Sequence, residues 1–438
     1  MLKVHLLWII IFILILPLKN SALAQDCVVK VIGTNIFIPD SQKVILRGVN
    51  AFTIFGRDED GFPTFKNISE TGANVSRIVW KAAVNDGTRM NPFQLETLIK
   101  ECIARKMLAM PELHDATGKE ANSAEWQLVM DYWTSPDVKA IIKKYEKFIL
   151  LNIANEVLPG KVTQAWEDLY KPAITTLRNA GYKCPLVIDA PQWGRYVDAI
   201  VSNGNNLLQH DPEKNIIFSW HPWNSFTKKT DIKAGIDNVL AKNLCLIIGE
   251  FGQPGYYDKG DPDIPQYIMD YSQEKGTGWL SWEWYNKGEQ HEHISNNPDN
   301  QCDVDGNCSE PTYTSFGRLV LFEHGTSISR TAKKANDIYF SGLNCLPTSA
   351  FNPEPKLPAI FRIYPNPAKN LIQIDATKLS SSELCCNIRD LNGKHIRIEK
   401  VQSGSEFDVD ISNLPMGIYF VEISTSDGFF MTDKFVKY

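Results

Sequence analysis

Glu156 and Glu250 are the residues of this sequence best placed to do chemistry. Glu156 ends the run Leu151-Asn152-Ile153-Ala154-Asn155-Glu156, and Glu250 follows Leu246-Ile247-Ile248-Gly249. Both runs are short and apolar, as strands buried on both faces are. An acid placed where such a strand emerges is poorly solvated unless something nearby pairs with it or uses it. Two acids held on one rigid frame are what hydrolysis of a glycosidic bond requires. The plainer reading is two strand-end acids in structural ion pairs.

The elements that would position them recur along residues 43–285. Short apolar runs alternate there with amphipathic stretches: Val44 to Leu46, Val75 to Val79, Met107 to Leu113, Phe148 to Ile153, Leu186 to Ile188, Ile216 to Trp220, Leu244 to Ile248 and Gly278 to Trp282. Between the second and third, Asn91-Pro92 reads as a cap with proline at the first helical position. Leu95, Leu98, Ile99, Cys102 and Ile103 then recur at helical spacing. Alternating β and α elements imply a parallel sheet. Eight repeats in this length predict an α/β fold, the (β/α)8 TIM barrel, with its site at the C-terminal strand ends. An open doubly wound sheet is the rival, but no glycine-rich phosphate loop follows the first strand. In the barrel, the strand ends send Arg77, His114, Asp115, Asn155, Glu156, Trp193, His221, Trp223, Glu250, Trp282 and Trp284 toward one cleft.

These residues stand in recognisable runs: Arg47-Gly48-Val49-Asn50, Gly72-Ala73-Asn74 leading to Arg77, His114-Asp115-Ala116-Thr117-Gly118, Asn152 to Glu156, and Ile248-Gly249-Glu250-Phe251-Gly252. Over residues 43–290 the sequence resembles glycoside hydrolase family 5, a retaining (β/α)8 family. The His114 to Gly118 run, and Val187-Ile188-Asp189-Ala190 with Trp193-Gly194, look most like its bacterial mannanase branch. The resemblance implies that Glu156 is the general acid/base and Glu250 the nucleophile. It also implies that Asn155 donates to the sugar 2-hydroxyl and that His114 and His221 orient substrate and carboxylates. Trp282 would be the platform under the scissile sugar, with Trp284, Trp193, Asn50 and Asp115 as further substrate-binding residues. A retaining pair needs pKa values pushed apart, and Arg77 is expected to hold Glu250 ionised and lower its pKa.

Two positions depart from the family. Trp223 stands where a tyrosine usually bonds the nucleophile, and Val157 where the mannanase branch usually carries tryptophan. Both bear on which sugar is preferred. The activity implied is a secreted endo-β-1,4-glycanase acting on plant polysaccharide, mannan or glucomannan first. An endo-β-1,4-glucanase using the same residues is the alternative. A non-catalytic polysaccharide-binding protein is the second, although binding alone needs no acid pairing. No cofactor or metal is implied.

The remainder of the 438 residues frames this site. Hydrophobic residues at 43% and charged residues at 22% suit a soluble globular protein with one large domain and one small. A net charge of -6 leaves no basic stripe for phosphate, which excludes a nucleic-acid partner. Residues 1–25 read as a signal peptide: Lys3, an apolar stretch from Leu6 to Leu16, Pro17, and Ala22-Leu23-Ala24 for cleavage. That stretch is too short for a stable transmembrane span. Export permits disulfides, and Cys302 and Cys308 could close the loop between them. Residues 299–307 of that region carry oxygen groups at alternate positions but lack the distal glutamate of a calcium loop. Cys102 and Cys245 read as buried thiols, and Asn67-Ile68-Ser69 fits a glycosylation acceptor.

A catalytic domain is expected over residues 26–346 and a Pro-rich linker over 347–360. Alternation over 361–438 predicts a small C-terminal all-β sandwich, with Asn392-Gly393 as a hairpin turn. Tyr364-Pro365-Asn366-Pro367-Ala368, Leu414 to Tyr419, and the ending Lys434-Phe435-Val436-Lys437-Tyr438 resemble the type A sorting domain of type IX secretion. That resemblance implies the type IX machinery as a partner and passage across the outer membrane, followed by release or surface attachment. A monomer is expected.

Overall fold

Eight parallel strands close into a barrel in the computed structural model, which describes residues 28–39, 42–53, 61–84, 87–223, 228–253, 261–286, 291–295, 310–335, 340, 362–366, 368–375, 384–390, 395–401, 406–425 and 430–437. The barrel strands are β1 (Arg47–Phe52), β2 (Val75–Trp80), β3 (Leu108–Leu113), β4 (Leu151–Asn152), β5 (Leu186–Asp189), β6 (Ile216–Trp220), β7 (Leu246–Ile248) and β8 (Gly278–Ser281). Each bonds to the next, and β8 returns to β1. β2 and β3 are buried along their whole length, as strands covered on both faces must be.

Helices alternate with the strands, among them Phe62–Glu70, Pro92–Ala104, Gln164–Asn179 and Lys229–Ala241. In Pro92–Ala104 the Asn91 side chain accepts from the Phe93 N–H at 3.0 Å, a cap that stabilises by about 1 kcal/mol. Leu95, Leu98, Ile99 and Cys102 bury the predicted face.

Inside the barrel the chemistry changes with height. Near the N-terminal strand ends, Val75, Met110, Val187, Ile217, Ile247 and Leu280 pack in one apolar cluster with Val29, Ile36 and Ile38. Those last three belong to a small antiparallel sheet, Lys30–Ile32, Asn35–Phe37 and Lys43–Val44, and its flanks. Toward the C-terminal ends the inward positions turn polar: Asn50, Arg77, Glu112, Asn152 and Asp189 are all fully buried. The register sets Asn50 beside Arg77 and Glu112 beside Asn152. An apolar floor thus carries a polar layer on a rigid frame.

The first apolar run departs from expectation. Val44 ends the small antiparallel sheet, and the first barrel strand is Arg47–Phe52 instead. Gly48 and Asn50 interrupt its apolar character, so hydropathy passes over it. Asn67 is buried in helix Phe62–Glu70 at 3% exposure, which removes it as a glycosylation acceptor. Cys102, Cys184 and Cys245 are buried free thiols.

The C-terminal residues form two antiparallel sheets, one of Arg362–Tyr364, Leu371–Asp375 and Glu406–Asp410, the other of Leu384–Asp390, His395–Val401, Gly417–Thr425 and Phe430–Lys437. Ile363, Ile374, Ile388, Val409, Val421 and Phe435 share one core, the small sandwich that alternation predicts. The Asn392-Gly393 turn, the segment 1–25, the linker and the Cys302 to Cys308 loop lie outside the described residues. No described helix is long and apolar enough to cross a membrane.

Candidate active site

Arg77 organises the polar layer. Its Nε donates to Asn152 Oδ1 at 2.8 Å, and Nη1 donates to Asn50 Oδ1 at 2.9 Å and to Glu250 Oε1 at 2.8 Å. Nη2 donates to Asn155 Oδ1 at 2.6 Å. Glu112 and Asp189 stand 3.7 and 3.5 Å from the same guanidinium. A planar fork with five N–H groups can grip partners on several strands at once, which an ammonium on a flexible stem cannot.

Glu156 leaves β4 with φ at 46°, in the left-handed region that such a side chain seldom enters. Strain of this kind costs roughly 1–3 kcal/mol and collects at functional sites. Two bonds hold it: Asp189 Oδ2 accepts the Glu156 N–H at 3.1 Å, and the Glu156 carbonyl accepts the Gly118 N–H at 2.9 Å. The carboxyl meets His221, whose Nδ1 is 2.8 Å from Glu156 Oε1 and 3.6 Å from Glu250 Oε1. Ser219 Oγ lies 3.0 Å from His221 Nε2. The imidazole fits because Gly194 and Gly249 flank it; a Cβ at either would come within 2.6 Å of it. Glu250 has both oxygens engaged, by Arg77 on Oε1 and by the Trp223 indole N–H on Oε2 at 3.0 Å. An oxygen of Glu156 lies within 4.8 Å of one of Glu250. An inverting pair needs about 6.5–9.5 Å between its carboxyls to admit water.

Four acidic side chains (Glu112, Glu156, Asp189, Glu250) meet three basic ones (Arg77, His114, His221) in this layer. Burial opposes the charge on His221, but Glu250, Asp189 and the bond to Glu156 overrule it and push the imidazole up to about 9. Arg77 is likewise held above its ordinary value by the surrounding acids, against burial. The two glutamates are driven apart, though not as the sequence suggests. Burial pushes Glu250 up, and the Glu156 charge adds to it; His221 and Arg77 do not offset the two, so its net direction is upward. Burial pushes Glu156 up as well, yet the bond and charge of His221, with His114 and Arg77, bring it below the usual range. The expected Arg77–Glu250 contact forms and acts to lower the Glu250 pKa, but burial and the Glu156 charge outweigh it.

The cleft also holds Trp282, whose ring stacks on His114 at 5.9 Å and 23°, with Phe52 edge-on to both. Trp193 is exposed over the Gly118 turn, close to Glu156, and the Arg195 guanidinium stands 5.6 Å from its ring. Three residues expected to bind substrate are placed elsewhere. Asn50 is fully buried and donates to the Gly249 and Ser281 carbonyls at 3.1 Å each, tying β1 to β7 and β8. Asp115 accepts from the Ala82 and Ala83 N–H groups at 2.8 and 3.3 Å, anchoring the loop after β2. Trp284 is 1% exposed and packs edge-on to Tyr313 in the core. Val157 is equally buried, within the core. A strand-end position fixes where the chain emerges; the loop decides which way each side chain turns.

Glu112, Asn152, Asp189 and Thr117 belong to the site but escaped prediction. Glu112 and Asp189 did leave a signal, each being a charge within or closing an otherwise apolar run. Thr117 left none: its Oγ1 accepts from Asn155 Nδ2 at 3.0 Å and so fixes which way that amide faces.

Comparison with known proteins agrees with this geometry. The family described as cellulase (glycosyl hydrolase family 5) matches residues 38–288, more than half of the chain, and the secretion system C-terminal sorting domain matches residues 362–438. A mannan endo-1,4-beta-mannosidase of Salipaludibacillus agaradhaerens is 34% identical over 257 residues, 58% of this chain and 80% of that protein. A beta-mannanase/endoglucanase A of Caldicellulosiruptor saccharolyticus is 28% identical over 281 residues, 62% of this chain and 19% of that much longer one. The β-mannanase structure from Thermomonospora fusca superposes with a TM-score of 0.62 at 26% identity, covering 72% of this chain and 99% of that one. The chain therefore belongs to the cellulase family, glycosyl hydrolase family 5, and its barrel is followed by a sorting domain for export.

Proposed function

We propose that this chain is an exported, retaining endo-β-1,4-mannanase in which Glu156 is the acid/base and Glu250 the nucleophile. The observation that carries this reading is the short approach of the two carboxyls, bridged by His221, with Glu250 gripped on both oxygens. Glu250 attacks the anomeric carbon while Glu156 protonates the leaving oxygen. Glu156 then takes a proton from water as the covalent sugar is released. The pKa directions run the other way, with burial raising Glu250 and the His221 bond lowering Glu156. The transition state reverses that bias. Positive charge growing at the anomeric carbon favours ionised Glu250, and the leaving oxygen draws the proton to Glu156. Asn155 accepts from Arg77 and donates to Thr117, so its amide nitrogen keeps one hydrogen for the sugar 2-hydroxyl. Trp282 and the exposed Trp193 are the stacking faces for sugar rings.

Mannan is favoured by the names of the relatives at 34% and 26% identity. Endo-β-1,4-glucanase action is the second reading, favoured by the dual name of the Caldicellulosiruptor relative. Residues 1–25 serve as a cleaved signal peptide, and residues 361–438 hand the folded barrel to the type IX machinery through the linker at 347–360. The test is hydrolysis of mannan, glucomannan, carboxymethylcellulose and xylan by the chain from residue 26 onward. The wild type should act on mannan, and Glu156→Gln and Glu250→Gln should each lose roughly 10²–10⁴-fold in kcat. Activity on cellulose alone overturns the substrate; activity that survives both substitutions overturns the mechanism.

A further inference from the structure

Beneath the Trp282 platform lies a buried acid that none of these steps uses. Glu112 is fully buried on β3, two residues before His114 and therefore on the same side of the strand. Its Oε1 is 2.9 Å from His114 Nδ1 and 3.7 Å from an Arg77 nitrogen. Its Oε2 meets no hydrogen-bond donor among the described residues. A carboxylate oxygen left dry in this way is costly, so a bland structural role would be better filled by an amide or an apolar group. His114 differs from Arg77 and His221 in reaching solvent, with 20% of its side chain exposed. Its Nδ1 faces Glu112, so the opposite ring nitrogen, Nε2, is turned away from the buried acid, at the far edge of a ring that stacks on Trp282.

We propose that Glu112 is a positioning residue for sugar binding: by holding His114 as an imidazolium with its Nδ1–H on Glu112 Oε1, it makes Nε2–H a donor at the Trp282 platform. A neutral imidazole carries one N–H, and Glu112 would engage it, leaving Nε2 able only to accept. The Glu112 charge changes that nitrogen from acceptor to donor. It also sets a cation against the Trp282 ring, which steadies the platform. This proposal rests on the reading of the cleft as a glycosidase site.

Of the other charges facing His114, Arg77 from β2 opposes protonation, while Glu250 after β7 and Glu156 after β4 favour it; Phe52 and Trp282 are its uncharged ring neighbours among the described residues. Burial works against the charged ring, yet Glu112 by charge and by hydrogen bond raises its pKa above the ordinary value. The imidazolium is therefore present below that raised value and lost as pH rises through it.

The experiment has two readouts. The first is imidazole NMR titration of wild type and Glu112→Gln, with His114→Asn to assign the signal. His114 should titrate above its ordinary value of about 6.5 in wild type and fall by at least about one pH unit in Glu112→Gln. It needs no substrate, so it stands apart from the glycosidase reading, and the wild-type titration alone decides should Glu112→Gln fail to fold. A wild-type His114 that titrates at or below its ordinary value overturns the proposal, as does one unmoved by the substitution.

The second readout is steady-state kinetics on a β-mannan oligosaccharide. Glu112→Gln should raise KM roughly tenfold, about 1.4 kcal/mol, with kcat less affected and the alkaline limb of kcat/KM moved to lower pH. The double variant with His114→Asn should be no worse than His114→Asn alone. Glu112→Asp should recover part of the loss. Fully additive losses, or a Glu112→Gln profile that overlays the wild type, overturn the proposal.

Discussion

Because Arg77 engages Asn50, Asn152, Asn155 and Glu250 through separate N–H groups, lysine in its place keeps the charge and loses the fork. Arg77→Lys should destabilise the barrel by about 3–5 kcal/mol in urea unfolding, and kcat should fall roughly 10²-fold as Glu250 shifts. An unchanged unfolding midpoint would contradict the hub role. His221 provides a pH test. Its pKa rises from about 6.5 in the unfolded chain to about 9 in the fold, so the imidazolium contributes fully below the first value and fades through the second. The stability gap between wild type and His221→Asn should therefore narrow from pH 6.5 to pH 10, read from urea midpoints at each pH. A gap that stays constant would mean the ring is neutral throughout. At this scale the strand-end positions of Glu156 and Glu250 were legible in the sequence, and the structure brings the two together. The structure engages Asn50, Asp115 and Trp284 with partners that a linear pattern does not show: Asn50 with Arg77 and the Gly249 and Ser281 carbonyls, Asp115 with the Ala82 and Ala83 N–H groups, and Trp284 with Tyr313.

Loops and strands set these positions through close backbone approach as much as through bonds. Gly249, the last residue before Glu250, sits so near β6 that a Cβ would collide with Ser219 Oγ and lie 2.6 Å from His221 Nε2. Gly249→Ala should push His221 from its place between Glu156 and Glu250 and lower kcat roughly 10²-fold. Gly325→Ala, where a Cβ would meet nothing within 4 Å, should leave kinetics unchanged; equal losses in both would deny the packing role. The strands themselves were legible wherever burial on both faces made them apolar, as in β2 and β3. β1 was missed because its inward positions carry Gly48 and Asn50, and β4 is only two residues long, so most of its apolar run is not strand. Polar residues inside a barrel are a functional signal that looks, in sequence, like the end of a strand.

At the scale of the molecule, the chain joins a catalytic barrel to a sorting domain with a core of its own. Removing residues 361–438 should leave kcat on mannan unchanged while stopping passage across the outer membrane of a host with the secretion system, as fractionation would show. Export that continues without those residues would contradict the sorting role. The proposed activity rests on a double displacement at Glu250 and Glu156, and stereochemistry reports it directly. With an activated aryl β-glycoside and azide, Glu250→Ala should yield the α-glycosyl azide, because azide replaces the nucleophile in a single inversion. Glu156→Ala should yield the β-azide, because azide attacks an intermediate already inverted once. A β-azide from Glu250→Ala, or an α-azide from Glu156→Ala, would contradict the assignment of the two acids.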